Sequence, residues 1–401
     1  MNLTLLLDLD DTLLQNSMDS FLPAYLQAWA RFVSPHTDPQ KFVSNMLSAT
    51  HYMVENQLPD CTLQDVFNSV FFPAVGIDVN QFQPFQDQFY KELFPNLQNL
   101  TNPVPGAVEF VEEALDRGYE IAIATNPLFP LTAIQQRLTW AGLPVEKYPF
   151  LLIPSYETFH FAKPNPAYFS ELLAQLGWPE GPVVMVGDDL KMDVLCGRQS
   201  GLPVFQSIPD GATPPDNLDL PWSCGVLSDL LTWLDHTPLD SLHPNLNLPS
   251  AVMATLRSTP AVFDSLARQM DGDDWKKSPG LDEWCSIEVA CHLRDVDMEI
   301  NLPRLRRVLQ EYNPFIPGVD SDLWAEERDY IHQDGPQAFQ VFTTARMELL
   351  NLLEEASLTD WQRTARHAIF GPTNLSELVR IVAGHDRLHV RQIQRNLDDW
   401  N

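Results

Sequence analysis

The segment LTLLLDLDDTLL, residues 3–14, places an apolar run directly before two aspartates that stand two positions apart. An apolar run of this length is typical of a strand buried on both faces, as in parallel sheets covered by helices. Similar runs recur at residues 120–124, 150–153, 183–186 and 204–208, and helical patterns lie between them at 108–117, 131–141 and 165–176. This alternation predicts a doubly wound α/β sheet, which binds its ligands at the carboxyl ends of its strands.

Residues 16–99 break the alternation. Phe21, Tyr25, Trp29 and Val33 follow helical spacing there, and no strand-like run intervenes. We therefore expect a helical insertion, or cap, over about residues 16–99.

A second break falls at residues 237–249, where three prolines occur among few large apolar residues. Beyond it, helical patterns at 251–270, 286–310, 336–355 and 375–396 show no convincing series of strands. The sequence thus predicts an α/β domain over residues 1–236, a linker over 237–249 and an antiparallel four-helix bundle over 250–401.

Charge and cysteine content narrow the class of protein. The 401 residues carry 54 acidic and 25 basic side chains, a net charge of −29 that would repel nucleic acid and anionic membranes. The five cysteines form no CxxC pair, which favours a reducing compartment. The N-terminal segment lacks a basic start and a cleavage-like site, so we expect a cytoplasmic protein.

Polar side chains follow three of the predicted strands, and a lysine lies in the loop before a predicted helix. Asp8 and Asp10 follow the first run, and the remaining members are Thr125 and Asn126, Lys163, and the acids Asp188, Asp189 and Asp193. A phosphate ester repels a bare carboxylate, so a divalent cation has to bridge the two. Asp8 and Asp188 offer the hard oxygen ligands that suit Mg²⁺.

The order and placement of these residues resemble the haloacid dehalogenase (HAD) superfamily of hydrolases over about residues 1–235, and the helical cap resembles that of phosphoglycolate-phosphatase-like members. This resemblance implies a Rossmann-like core in which Asp8 attacks phosphorus to give an aspartyl phosphate. Asp10 would protonate the leaving oxygen, later activate water, and hold Mg²⁺ through its backbone carbonyl.

The same resemblance implies roles for the other positions. Thr125 and the backbone of Asn126 would hold phosphoryl oxygens, Lys163 would neutralise their charge, and Asp193 would orient Lys163. Asp188 would bind the metal, and Asp189 would be either a further ligand or a neighbour of the ligands.

Asp10 separates two reactions within that superfamily. Its dehalogenases lack an acid at this position because halide leaves without a proton, so Asp10 favours a phosphatase of a small phosphorylated metabolite. A phosphomutase stays open, and one sequence cannot rank the cap residues that would contact the substrate.

Three histidines form a second group. His385 and His389 lie four apart on one helical face, and His292 lies on an earlier amphipathic segment that could face them. Cys291 points about 100° away from His292 on the helix. His367 is interpreted as a surface or turn residue.

The segments EWCSIEVACHLRD, ARHAIFGP and HDRLHVRQI resemble the DinB-like four-helix bundle proteins over about residues 245–398. The resemblance implies an open site in which His292, His385 and His389 bind Zn²⁺, Ni²⁺ or Fe²⁺. Two alternatives assign the main function to the bundle. It would act either as a metal-dependent thiol transferase or as a binding module, with the HAD-like domain as its partner. A dimer formed through the bundle also stays open.

Overall fold

The computed structural model describes residues 3–209, 222–278, 280 and 283–398. The chain forms two compact units, Met1–Leu172 with Pro179–Asn245 and Leu173–Trp178 with Leu246–Asn401. The first unit runs past the expected domain end at residue 236. Leu242 is fully buried in its core, and the Asn245 N–H donates to the carbonyl of Gly201 at 2.8 Å. Part of the predicted linker therefore packs on this unit.

A five-stranded parallel sheet forms the centre of the first unit. Its strands are β1 Thr4–Leu7, β4 Glu120–Ile123, β5 Val183–Gly187, β6 Val204–Ser207 and β7 Trp222–Gly225. They lie in the order β4-β1-β5-β6-β7, with β1 in register between Glu120–Ile123 and Val183–Val186. The predicted α/β class is confirmed, and the carboxyl ends of β1, β4 and β5 meet at one edge.

One strand prediction was wrong, and one strand was missed. Residues 150–153 make two backbone hydrogen bonds beside β4, from Leu151 N to Ile121 O and from Ile123 N to Leu152 O, but form no regular strand. Pro154, which follows, has no N–H with which to continue the pairing. Sequence reasoning missed β7 because Trp222–Gly225 is only half-buried and lacks an apolar run.

The cap is helical. Its helices are α1 Met18–Val33, α2 Pro39–Val54, α3 Leu63–Val75 and α4 Val79–Gln88, followed by a π turn at Phe89–Leu93 and a 3₁₀ helix at Phe94–Leu100. Two short antiparallel strands, β2 Leu14–Gln15 and β3 Asn102–Pro103, pair where the chain enters and leaves the cap. An aromatic cluster fills it, with the Trp29 ring stacked 3.7 Å from that of Phe89.

The helices of the first unit's core lie between its strands or follow the last of them. They are α5 Ala107–Asp116, α6 Leu131–Trp140, α7 Pro166–Gln175, α8 Cys196–Gln199 and α9 Leu227–His236. A π turn at Leu190–Leu195 precedes α8 and begins directly after β5. This π turn brings its one acidic residue, Asp193, back toward the strand ends.

The second unit contains the four predicted long helical segments. They are α10 Pro249–Ala267, the pair α11 Ser286–Asp295 and α12 Leu302–Gln310, α14 Gly335–Glu354 and α15 Leu375–Asp398, with a short helix α13 at Trp324–Glu327. A π turn at Val296–Asn301 joins α11 to α12 within the predicted segment 286–310. Helix α11 packs on α14, and α10 packs on α14 and α15. The predicted helical bundle is confirmed.

A small sheet beside these helices was not predicted. It pairs β8 Phe315–Ile316 with β9 Thr364–His367, and β9 with β10 Gly371–Asn374. His367 is buried on β9, so its interpretation as a surface or turn residue was wrong. Its Nδ1 accepts the N–H groups of Ile369 and Phe370 at 3.2 and 3.4 Å, which closes the turn between β9 and β10.

One fully buried arginine links the helices of the bundle. Arg346 on α14 donates to Asp297 in the π turn (2.7 Å), to Asp386 on α15 (3.0 Å) and to the carbonyl of Leu256 on α10 (3.2 Å). Thr259 on α10 also donates to Asp386 at 2.9 Å. Buried charges cost free energy unless they are paired, and here each has a partner.

No helix among the described residues is long and apolar enough to span a membrane.

Candidate active site and metal centre

The sheet positions the acidic site through its strand ends. Backbone pairing continues one residue beyond β1, because the Asp8 N–H donates to Val186 O at 2.9 Å and the Ala124 N–H donates to Leu7 O at 2.7 Å. Asp8 therefore follows β1, Thr125 follows β4 and Asp188 follows β5. Of these three residues, Asp188 lines a cleft of about 550 Å³, together with Asp11 and Ser207.

Lys163 connects two of the carboxylates. Its Nζ lies 2.9 Å from Asp8 Oδ1 and 2.5 Å from Asp193 Oδ1, and all three side chains are buried. Burial alone would lower the pKa of Lys163, but the charges of Asp193 and Asp8 raise it above its ordinary value. The lysine is therefore a fixed cation between a candidate nucleophile and a supporting acid.

Asp8, Asp188 and Asp193 form a cluster with a surplus of negative charge. One carboxylate oxygen from each lies within 4.8 Å of the others. Burial, followed by the charges of Asp8 and Asp193, raises the pKa of Asp188 to about 8. Three carboxylates around a single lysine leave a surplus of negative charge, and the hard oxygen donors fit a divalent cation.

Two features of the β5 end bring Asp193 close to the cluster. A Cβ on Gly187 would lie 2.3 Å from Asp193 Oδ2, so only glycine leaves room for this carboxylate. Asp193 Oδ2 also accepts the backbone N–H of Asp189 at 3.1 Å. The Asp189 carboxylate instead caps the π turn by accepting Lys191 N and Met192 N, and it lies outside the cluster.

The loop after β4 presents a free hydroxyl. Thr125 Oγ1 is buried and has no hydrogen-bond partner among the described residues. Tyr168 fixes this position by donating its hydroxyl to Thr125 O at 2.8 Å. The Lys163 N–H donates to Asn126 Oδ1 at 3.1 Å, which ties the lysine loop to the threonine loop. A buried donor with no partner suits an anionic ligand.

Asp10 lies beside the cluster and has its own partners. Its Oδ1 accepts the Asn16 side-chain amide at 2.8 Å and forms an ion pair with the buried guanidinium of Arg137 on α6. A buried cation beside a carboxylate favours its ionised form. Burial lowers the pKa of Arg137 to about 10, so the guanidinium keeps its charge at neutral pH.

Sequence reasoning missed Arg137, Asn16 and Tyr168. Arg137 carried a signal, because it stands three positions after Ile134 and one before Leu138 on the buried face of α6. An arginine on an apolar face needs a charged partner, and Asp10 is that partner. Asn16 and Tyr168 carried no such signal.

The three predicted histidines meet in the bundle. His385 Nε2 lies 3.0 Å from His292 Nε2 and 3.1 Å from His389 Nε2. Burial, then the neighbouring histidines, lowers the pKa of His292 to about 2, and burial, then His389 and Arg346, lowers that of His385 to about 3. Three neutral imidazoles whose Nε2 atoms converge fit a transition metal, because metal binding requires the unprotonated form.

Trp284 and Cys291 are neighbours of the histidines. The Trp284 ring lies 4.8 Å from that of His292 and stacks at 6.0 Å on that of His389. Cys291 faces away, toward Gln333 Oε1, and burial raises its pKa to about 11. Its thiol is therefore not poised to ionise at neutral pH.

Two family models match the chain, one over each region. Residues 3–201 match the family model of haloacid dehalogenase-like hydrolases, and residues 255–393 match that of the DinB superfamily. The chain therefore joins a haloacid dehalogenase-like hydrolase domain to a DinB superfamily domain.

Individual relatives match parts of the chain. A pyrimidine 5'-nucleotidase, YjjG of Escherichia coli (strain K12), is 34% identical over 142 residues, 35% of this chain and 60% of the relative. A phosphoglycolate phosphatase of Mesorhizobium japonicum is 28% identical over 131 residues, 32% of this chain and 54% of the relative. The chain thus covers a little over half the length of these curated relatives.

One solved structure is similar to part of the chain. YfiT from Bacillus subtilis is described as a probable metal-dependent hydrolase with an unusual four-helix bundle topology. It is 19% identical, with a TM-score of 0.35, and the match covers 37% of this chain and 85% of YfiT.

Proposed function

We propose that the first unit is a Mg²⁺-dependent phosphatase that hydrolyses a small phosphate monoester through an aspartyl phosphate on Asp8. The observation that carries this proposal is the buried Asp8–Lys163–Asp193 ion pair beside the free Thr125 hydroxyl. The names of the two curated relatives, a nucleotidase and a phosphoglycolate phosphatase, also support a phosphate monoester.

Different residues of the site bind the phosphoryl oxygens, balance their charge and hold the divalent cation. Thr125 Oγ1 and the backbone of Asn126 hold phosphoryl oxygens, and Lys163 balances their charge, because it is the fixed cation next to Asp8. A divalent cation held by Asp8, Asp188 and the backbone carbonyl of Asp10 would offset the repulsion between carboxylate and phosphate. Asp193 positions Lys163, and Asp189 contributes as a cap of the π turn.

The reaction then proceeds in two displacements. An Asp8 oxygen bonds to phosphorus as the ester P–O bond breaks, and Asp10 gives its proton to the departing alkoxide. In the second step Asp10, now a carboxylate, takes a proton from water while that water attacks phosphorus and releases Asp8. The Arg137 ion pair favours the form of Asp10 that this second step needs.

Replacing the nucleophile tests the proposal. Asp8→Asn keeps the side-chain size but removes both nucleophile and charge, so release of p-nitrophenol from p-nitrophenyl phosphate with Mg²⁺ should fall to background. The matched control is Asp116→Asn, an exposed change on α5 that should keep full turnover. Turnover in Asp8→Asn close to that of the control, with both proteins folded by circular dichroism, would reject the proposal.

We also propose that the second unit binds one transition metal through His292, His385 and His389. The convergence of three Nε2 atoms supports it. An activity of the bundle, such as thiol transfer, would use the remaining position of that metal, and the buried Cys291 would not supply the thiol. We expect the whole chain to act on a small phosphorylated substrate in the cytoplasm without nucleic acid or membrane partners.

A further inference from the structure

The first unit contains a second cavity, of about 290 Å³, between cap and core. Helix α1 supplies one wall with Leu22, Tyr25, Leu26 and Trp29, which share a helical face. The opposite wall includes Leu128, Phe129 and Pro130, from the loop that follows Thr125 and Asn126. The cavity is thus built from the cap and from the loop that holds the candidate phosphate site.

The lining of this cavity is apolar. None of the described residues that line it carries a charge. Most of its polar side chains already bond to one another or to backbone, since the Tyr25 and Tyr90 hydroxyls share a hydrogen bond (2.9 Å) and Gln86 donates to the Tyr156 hydroxyl (2.6 Å). The buried indole N–H of Trp29 has no hydrogen-bond partner among the described residues. A sugar or a carboxylate would find few unpaired hydrogen-bonding groups here to replace its hydrogen bonds to water. An alkyl chain or an aromatic ring makes no such hydrogen bonds and so gives up none on entering.

Contacts connect the cavity to the reacting groups. The Leu128 N–H donates to Asn126 O at 2.8 Å, so the apolar wall begins two residues after the phosphate loop. The Arg137 guanidinium pairs with Asp10 and lies 5.3 Å from the centre of the Phe129 ring. Asp10 is the group that would face the leaving oxygen, so the rest of the leaving group would point past Arg137 toward Phe129.

From this arrangement we infer that the cavity is the leaving-group subsite, and that the substrate is a phosphate monoester of an uncharged aliphatic or aromatic alcohol. The inference rests on the proposed phosphatase function and names its substrate class. Recognition comes from burial of apolar surface between α1 and the Leu128–Pro130 loop, and not from hydrogen bonds to hydroxyl groups.

A series of alkyl phosphates tests the inference on the full chain. Ethyl, butyl and hexyl phosphate have leaving alcohols of similar acidity, so only the buried apolar surface changes. Burial predicts that kcat/KM rises about fourfold per added methylene until the cavity is filled. Propyl phosphate should also be preferred over glycerol 3-phosphate. A flat series, or a preference for glycerol 3-phosphate, would overturn the inference.

A variant that fills the cavity locates the effect. Leu26→Trp should lower kcat/KM for hexyl phosphate by about tenfold or more relative to ethyl phosphate, because the indole occupies the space of several methylenes. Leu58→Trp, an exposed cap position outside the cavity, should leave this ratio as in wild type. An unchanged ratio in Leu26→Trp would overturn the inference, and Leu22→Phe repeats the test if Leu26→Trp does not fold.

A binding measurement separates this inference from the proposed chemistry. Hexanol should bind the folded Asp8→Asn chain and lose affinity in Asp8→Asn combined with Leu26→Trp, as followed by ligand-observed NMR. Absence of hexanol binding would reject the subsite even if every phosphate ester is hydrolysed. Hexanol binding in a wild-type chain that hydrolyses no ester would reject the phosphatase function and leave an apolar binding site.

Discussion

In the proposed reaction Asp10 serves as an acid in one step and as a base in the next, and its neighbours favour one of these forms. Asn16 fixes its orientation, and Arg137 stabilises its carboxylate. The partly exposed carboxylate can still exchange protons with solvent, since its side chain is 31% accessible. The positive charge of Arg137 therefore disfavours the protonated acid form of Asp10 and favours the carboxylate that acts as the base.

Replacement of Arg137 should therefore slow the second step. In Arg137→Met the carboxylate loses its cation, and we expect hydrolysis of the aspartyl phosphate to slow by about tenfold, a fraction of the full contribution of a general base. Rapid mixing with p-nitrophenyl phosphate should then show a burst of p-nitrophenol followed by slow turnover. Arg31→Met, an exposed change on α1, serves as the control. A uniform loss of rate without a burst would argue against this role of Arg137.

The π turn after β5 packs closely against the end of that strand because Gly187 has no side chain. Gly187 lets the Asp193 carboxylate lie against the strand end, where it holds Lys163. A larger residue would collide with this carboxylate and not with a flexible surface group. The strand and the turn are thus matched through a contact that the sequence pattern GDDLKMD does not reveal.

Gly187→Ala should damage the site while leaving the sheet paired. Displacement of Asp193 frees Lys163 from one of its two anions, so we expect kcat/KM for p-nitrophenyl phosphate to fall by about 100-fold, in the range for loss of one transition-state contact. Gly272→Ala is the matched control, because no atom lies within 4 Å of the added Cβ. Wild-type activity in Gly187→Ala would mean that Asp193 is not needed to position Lys163.

The turn between β9 and β10 gives the second unit a pH dependence. Burial, then the charge of Arg304, lowers the pKa of His367, and its Nδ1 accepts two backbone N–H groups only while it is unprotonated. The unfolded chain takes up this proton near pH 6.5 and the folded chain takes it up at lower pH. Folding stability from this group is therefore present above pH 6.5 and falls as the pH is lowered.

This pH dependence can be assigned with one substitution. His367→Asn keeps a short acceptor but does not titrate, so its melting temperature should fall less than that of wild type between pH 7 and pH 5. His332→Asn, at an exposed position, should follow wild type. Parallel curves for wild type and His367→Asn would assign the acid sensitivity to other groups, among them the three converging histidines.

At the scale of the whole molecule, two candidate metal sites use different ligand types and share no residue. Carboxylates suit Mg²⁺ and imidazoles suit a transition metal, so each site should select its own ion. His385→Ala should strip the transition metal from the purified chain, by elemental analysis, and leave Mg²⁺-supported phosphatase turnover unchanged. His332→Ala should keep the metal. A large loss of turnover in His385→Ala would show that the two sites are coupled.

Much of this architecture follows from local sequence patterns. Apolar runs predicted four of the five sheet strands, and helical spacing predicted the cap and the four long segments of the bundle. The carboxyl-end rule placed Asp8 and Asp188 together, and the i, i+4 spacing placed His385 beside His389. These predictions rest on periodicity, which reflects burial within single elements.

The remaining features depend on contacts between distant segments. β7 is recognisable only as a partner of β6, and the buried position of His367 depends on a turn that its own ring stabilises. The Arg137–Asp10 pair joins residues 127 positions apart. The family resemblance implied that Asp189 is either a further metal ligand or a neighbour of the ligands, and the structure adds that its Oδ1 accepts the backbone N–H groups of Lys191 and Met192.

The Arg346 ion-pair network of the bundle has a consequence for how this unit folds. Its partners lie on α10, on the π turn after α11 and on α15, so no subset of these segments satisfies the guanidinium and both carboxylates at once. A partly assembled bundle would bury unpaired charge at a cost of about 3–5 kcal/mol. Intermediates with three docked helices should therefore be sparsely populated, and the second unit should unfold in one cooperative transition with α15 leaving at the same denaturant concentration as α10.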